Sequence, residues 1–282
     1  MVARSSRIKL SAGQIFWREA GDDRRPVVIF LHGSWHDHTQ WESSIELSSK
    51  NFHCFAIDLL GFGNSIALQT PNSVKMEVDC LHEFLTALKL RPVYLVGHSL
   101  GAWIAVSYAL KYPRFVKGVV AISPEGFSLN NWKQYHFSTK WVIANPPLFK
   151  LWLKGLQVMT SITDGAELLQ KSQAYWSSLD KFPTTCKLLL QRSTSDLRHE
   201  LVVDRLARFK LPFLILQSDT ADQSTIEQSQ AYARAVRQAE YKLINRSRFT
   251  SSQEAMQHIA REIQVFLDQI QVRSDRAEVE LL

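Results

Sequence analysis

No stretch of this chain is long and apolar enough to cross a bilayer, because the longest apolar neighbourhood, Leu95 to Leu110, is interrupted by His98 and Ser99 and closed by Lys111. No export leader is expected either. Met1-Val2-Ala3-Arg4 runs into Ser5-Ser6-Arg7 with no apolar segment behind it, so the expected setting is cytoplasmic. Cysteine is scarce: Cys54, Cys80 and Cys186 are an odd number without paired metal-ligand spacing, which predicts buried reduced thiols. No metal or cofactor is expected. Internal repeats and low-complexity tracts are absent. The formal net charge of +6 is not concentrated in a run, since lysines and arginines are scattered among acids along the sequence. Without a basic stripe interleaved with stacking aromatics, nucleic acid is not an expected partner. A mildly basic surface against anionic lipid and an ordinary solvated face both stay open.

What is present fits one substantial core: 282 residues, 45% hydrophobic and 21% charged. Short apolar runs at Val27–Leu31, Phe52–Ile57, Val93–Val96, Val116–Ile122, Phe213–Leu216 and Tyr241–Ile244 read as strands buried on both faces. Amphipathic segments alternate with them. In the clearest, Ser73 to Leu90, residues Val74, Val78, Leu81, Leu85 and Leu88 share one helical face. This alternation predicts an α/β fold with a mostly parallel sheet and helices on both faces. Ile8–Leu10 and Gln14–Glu19 precede the first helix and predict an antiparallel edge. The alternation stops after Pro124 and resumes near Pro212, which predicts a core of residues 1–124 and 209–282 with a helical cap at 125–208. That interval holds Trp132, Trp141, Trp152 and Trp176 with Phe137, Phe149 and Phe182. Such rings either line an apolar pocket for a small apolar or acyl ligand or simply pack the cap. Residues 271–282 carry mixed charge and are expected to fray.

The chemistry centres on Gly97-His98-Ser99-Leu100-Gly101, set between an apolar strand and an amphipathic stretch. A serine on such a sharp strand-to-helix turn is a nucleophile elbow, with the following amide, that of Leu100, aimed where an oxyanion forms. Leu31-His32-Gly33-Ser34-Trp35 follows an earlier strand, and its tight turn offers the Ser34 amide as a second oxyanion donor. Asp58-Leu59-Leu60-Gly61-Phe62-Gly63-Asn64-Ser65 follows the next strand. Over about residues 8 to 270 the chain resembles the α/β-hydrolase superfamily, the serine-elbow branch with a helical cap. The resemblance implies a triad in the order serine, acid, histidine. It puts the acid after the strand that follows the cap, nearest Ala221, where a one-residue adjustment favours Asp222 over Asp219. Glu125 matches an alternative acid site after the preceding strand. Each of these acids has a plainer reading as a loop carboxylate or helix cap.

The histidine departs from the family's pattern. Its implied position, before Phe249, holds Arg248, whose guanidinium stays protonated and has no lone pair to take a proton. His258 lies in the last helix and is expected to point to that helix's flank. His36 and His38, on the loop after the His-Gly turn, are alternative bases or a solvated loop pair, and His98 is a structural neighbour of the serine. Losing the histidine of a serine triad costs on the order of 10⁶ in turnover and leaves about 10³–10⁴ over water. Two functions follow from these residues. One is a serine hydrolase of a small or lipid-like carboxylic ester with an unorthodox triad at Ser99. The other is a non-catalytic binding or scaffold protein that keeps the pocket. A lyase or cofactor-free enzyme on the same pocket stays open as a third. Dehalogenase and epoxide hydrolase chemistry are disfavoured, because those relatives carry aspartate where Ser99 stands.

Overall fold

The computed structural model describes residues 3–69, 73–128, 148–149, 151–154, 170, 173, 176–177, 179, 181–249 and 251–279. The first elements are β1 (Arg4–Leu10), β2 (Gly13–Ala20), β3 (Val27–Leu31), α1 (Glu42–Ser48), β4 (His53–Ile57), β5 (Ile66–Ala67) and α2 (Val74–Ala87). After them come β6 (Val93–His98), α3 (Leu100–Lys111), β7 (Val116–Ile122), β8 (Phe213–Ser218), α4 (Gln223–Ala235), β9 (Ala239–Ile244) and α5 (Ser252–Val279). The sheet order is β1-β2-β4-β3-β6-β7-β8-β9, with β5 paired to β2. From β4 to β9 every pairing is parallel, and β1 pairs β2 antiparallel from Arg4↔Glu19 to Leu10↔Gly13. The expected α/β architecture with an antiparallel edge is therefore observed.

Burial explains why these segments take these forms. Central strands β3 and β6 are apolar on both faces, as a parallel sheet covered by helices requires, and residues 93–97 are all buried. Helix α3 is buried from Leu100 to Ala109, so it presents no solvent-facing side over that span. Helix α2 starts where Ser73 caps it, its side chain accepting from the Met76 amide at 3.0 Å. The C-terminal helix corrects the expectation of fraying from residue 271: α5 stays helical to Val279. No glycine or proline interrupts Ser252–Val279, so nothing in the backbone stops the helix sooner.

The chain divides into two compact units, residues 1–69, 73–128 and 200–282 in one, residues 70–72 and 129–199 in the other. The expected cap at 125–208 overlaps the second. Trp132, Trp141 and Phe137 lie outside the described residues. Within the second unit, Phe149, Leu179 and Cys186 form a small core, and Phe149 stands 5.3 Å from the Trp152 ring and 5.5 Å from the Trp176 ring. These three rings pack on each other. Among the described residues no helix is long and apolar enough to cross a membrane. All three cysteines are buried free thiols.

Candidate functional site

Two glycines allow the turn between β6 and α3 to close. A Cβ on Gly97 would sit 2.4 Å from the Gly101 carbonyl carbon, and one on Gly101 would sit 2.2 Å from the Leu31 carbonyl oxygen. The turn is thus folded on itself and pressed against the end of β3. Ser99 bears the conformational cost, with φ +53° and ψ −113° in a region that side chains avoid, which costs on the order of 1–3 kcal/mol. Its amide donates to the Ile122 carbonyl at 2.9 Å, while its carbonyl accepts from Ala102 and Trp103. Leu100 is the first helical residue, so its amide has no acceptor within α3. Ser34 is buried on the turn after β3, where His36 N–H donates to the Gly33 carbonyl at 3.1 Å.

The Ser99 hydroxyl donates to Glu125 Oε1 at 2.6 Å. Glu125 is held there from three sides. Gly126 turns the chain at φ +87° and lies so close to the Trp103 indole that a Cβ would stand 2.4 Å from it. The buried Tyr232 hydroxyl donates to the Glu125 carbonyl at 2.6 Å. Val202 N–H donates to the Gly126 carbonyl at 3.0 Å as the chain returns, and the Trp103 indole N–H donates to the Glu200 carbonyl at 3.1 Å. Glu125 Oε2 is buried without a hydrogen-bond partner. Burial raises the Glu125 pKa above the ordinary carboxylate value, and the Ser99 hydrogen bond opposes that rise.

The other residues picked out by sequence fall into different surroundings. Asp222 caps α4: its carboxylate accepts from the Thr225 amide at 3.0 Å and the Thr225 hydroxyl at 2.6 Å, and the residue is exposed. Asp219 reaches the loop after β9, accepting from the Arg246 amide at 2.8 Å. Arg248 is exposed in that loop and forms no ion pair with either aspartate among the described residues. It is Arg246 whose guanidinium binds locally, to the Ser251 carbonyl and Ser252 hydroxyl, both at 2.9 Å. His258 rests against Phe249 and stands 3.8 Å from Glu262, on the flank of α5.

The histidines divide by partner. His38 is buried and bound to Asp58, whose Oδ1 takes both its amide at 2.7 Å and its ring Nδ1 at 2.9 Å, which corrects the picture of a solvated loop pair. Asp58 Oδ2 accepts from Asn64 N–H, and Asp37 accepts from Thr39. Asp37, His38 and Asp58 place their ligand atoms within 4.8 Å of one another. These internal hydrogen bonds account for the grouping without an ion. His32 donates from Nδ1 to the Gly33 carbonyl at 2.8 Å and accepts the Leu59 amide on Nε2 at 3.0 Å, so it is neutral, its pKa lowered by burial to about 4. His98 is held neutral too, its pKa lowered to about 3 by burial first and then by His36 and His32. His36 is exposed, with its ring 5.6 Å from that of His98. Both line a cleft of about 440 Å³ whose apolar walls are Trp41, Ile122, Met256 and Ile259.

A family model described as the alpha/beta hydrolase fold matches residues 26–151, the span that carries the His-Gly turn, the elbow and Glu125. This chain has the α/β-hydrolase fold. Among curated relatives, 1-acylglycerol-3-phosphate O-acyltransferase ABHD5 of Rattus norvegicus is 30% identical over 128 residues, 43% of this chain and 36% of that protein. Monoacylglycerol lipase ABHD6 of Homo sapiens is 30% identical over 114 residues, 39% of this chain and 34% of that protein. The matches therefore span about a third of the relatives' length. Among solved structures, a putative lipase (lip1) from Acinetobacter baumannii AYE aligns with TM-score 0.73 at 20% identity, covering 96% of this chain and 93% of that one. That likeness shows the fold. The sequence pattern does not single out Tyr232 and Trp103, which steady Glu125 from other elements. Their signal was faint, two aromatics among helical apolar residues.

Proposed function

We propose that this α/β-hydrolase cleaves a small or lipid-like carboxylic ester through Ser99, with Glu125 doing the proton transfer ordinarily done by a histidine. The observation that carries the reading is the 2.6 Å hydrogen bond from the Ser99 hydroxyl to Glu125 Oε1. In this reading Ser99 Oγ attacks the ester carbonyl while its proton passes to Glu125, and the amides of Leu100 and Ser34 receive the oxyanion. Glu125 then returns the proton to the departing alkoxide, leaving Ser99 acylated. Water then attacks the acyl carbon and gives a proton to Glu125, and Glu125 passes that proton to Ser99 Oγ as its bond to the acyl carbon breaks, which releases the acid and restores free Ser99. A carboxylate whose pKa is raised by burial is a stronger base than an ordinary one. It remains far weaker than the serine alkoxide is basic, so turnover is slow. A cytoplasmic setting belongs to the same reading, supported by the three buried free thiols.

The test is fluorophosphonate labelling together with hydrolysis of short-chain nitrophenyl esters. Labelling and turnover that vanish in Ser99→Ala and fall at least about a hundredfold in Glu125→Gln support the reading. Because Glu125 acts ionised, activity should rise with pH through its elevated pKa. Equal labelling of wild type and Ser99→Ala would sink the proposal. The exposed Arg248 at the histidine position favours a second reading, a binding protein that keeps the pocket. Background esterase activity in both wild type and Arg248→His would support it.

A further inference from the structure

The chain's cations are scattered in sequence but gathered by topology. Strands β4, β3, β6, β7, β8 and β9 all begin at one rim of the sheet, with His53 paired to Val27, Val27 to Val93, Val93 to Val116 and Phe213 to Ala239. The segments leading into five of these six strands are residues 49–52, 88–92, 112–115, 207–212 and 236–238. Together they hold Lys50, Lys89, Arg91, Arg114, Arg208, Lys210 and Arg237, and no aspartate or glutamate. Six of the seven are exposed, and Arg91 lies over the Phe115 ring at 4.7 Å. Among the described residues none of the seven forms an ion pair. The sixth segment differs, because Arg24 there is paired with Asp22 at 2.7 Å.

Helix dipoles do not explain the rim. Cations at helix C-termini are favourable, but the last turns of α1 and α2, which precede Lys50 and Lys89, hold no basic residue. Of the seven, only Arg114 and Arg208 sit in last turns, those of the short 3-10 helices Pro113–Phe115 and Val203–Arg208, and Lys111 of α3 and Arg234 of α4 are additional to the seven. From α5, Asp268 reaches this rim and is held by Asn51 and Gln264. Between the cations lie Tyr112 and Phe115, half-buried rings of the kind that settle at a headgroup boundary. At about 4.8 Å per strand, six strands spread the charge over about 24 Å.

We propose that this rim docks on an anionic phospholipid surface. Seven unpaired cations across a broad face match a planar array of anions. A nucleic-acid duplex would meet only a line of them, and among the described residues no helix or ribbon projects here to enter a groove. The inference does not rest on the chemistry at Ser99.

The test is co-sedimentation with phosphatidylcholine vesicles, with and without about 30% phosphatidylserine, at low and high salt. The wild type should bind only the phosphatidylserine vesicles and release at high salt. Arg114→Glu/Lys210→Glu/Arg237→Glu should bind on the order of 100-fold more weakly, from about fivefold per cation. Arg7→Glu/Lys9→Glu/Arg261→Glu changes the net charge equally on other surfaces and should bind like the wild type. Thermal melting checks that both variants are folded. Three results would overturn the proposal: no binding by the wild type, equal binding to neutral vesicles, or equal loss in the two triple variants. Binding to a DNA or RNA duplex through the same residues, with none to vesicles, would assign the rim to another partner and overturn it as well.

Discussion

Glu77 puts an ionisable group where the fold favours its neutral form. The residue is 3% exposed on α2, its Oε2 accepts the Leu60 amide at 3.2 Å, and its Oε1 is buried with no partner. Ile15, Leu31, Ile57, Leu59, Cys80, Leu81 and Phe84 surround it around a gap of about 10 Å³, at the lower limit for one water. Burial raises its pKa from 4.5 to about 8, so between those values the folded chain holds a proton that the unfolded chain has released. Stability must then fall as pH rises through that window, by about 1.4 kcal/mol per unit from this group alone. The loss is on the order of 3 kcal/mol at pH 7 and 5 kcal/mol above pH 8. Glu77→Gln keeps an acceptor for the Leu60 amide and removes the titration. Urea unfolding of both proteins from pH 5 to pH 8 reads the difference directly. The variant should gain on the wild type steadily, whatever constant offset its unsatisfied amide hydrogens introduce. A difference that stays flat across the range would refute the reasoning.

Buried neutral histidines act in the opposite sense. His32 and His98 have their pKa values lowered from 6.5 to about 4 and about 3, so stability is lost as pH falls below 6.5; there the two histidines outweigh Glu77, above it Glu77 acts unopposed by them, and the maximum should lie near pH 6.5 in a melting series. At Ser99 the positive φ reverses the usual order of substitutions: Ser99→Gly should be about 1 kcal/mol more stable than Ser99→Ala in denaturant, although both lose the Glu125 hydrogen bond. Asp222→Ala should cost about 1 kcal/mol as a lost helix cap and leave probe labelling of Ser99 unchanged, whereas loss of labelling would return Asp222 to the chemistry.

The parallel sheet was legible because its strands are short apolar runs bounded by turn residues, and the elbow because its five residues are contiguous between a strand and a helix, although the need for Gly101 comes from Leu31, seventy residues away. What sequence did not carry is partnership across the fold. His38 and Asp58 are 20 residues apart, and nothing local says that a loop histidine will be buried on that carboxylate. Glu125 stood in the sequence as one acid of three, and only the turn set by Ser123 and Gly126 brings it to Ser99. Asp222 shows the converse, since its plainer reading as a cap was available from Asp222-Gln223-Ser224-Thr225 and is the geometry found. The cations misled for the same reason: their spacing in sequence is irregular, and their common rim comes from the shared direction of the strands.

That shared direction also separates the two ends of the molecule. Strand β6 carries the chain from Val93 at the cationic rim to His98 beside the elbow, six residues or about 20 Å. Over that span mobile ions screen a surface potential by more than two Debye lengths at physiological salt. Docked by its rim, the protein would hold Ser99 in bulk water, beyond the field of the lipid beneath it. Substrate would then arrive by diffusion through the aqueous phase, and turnover per molecule should be the same on a vesicle as in free solution.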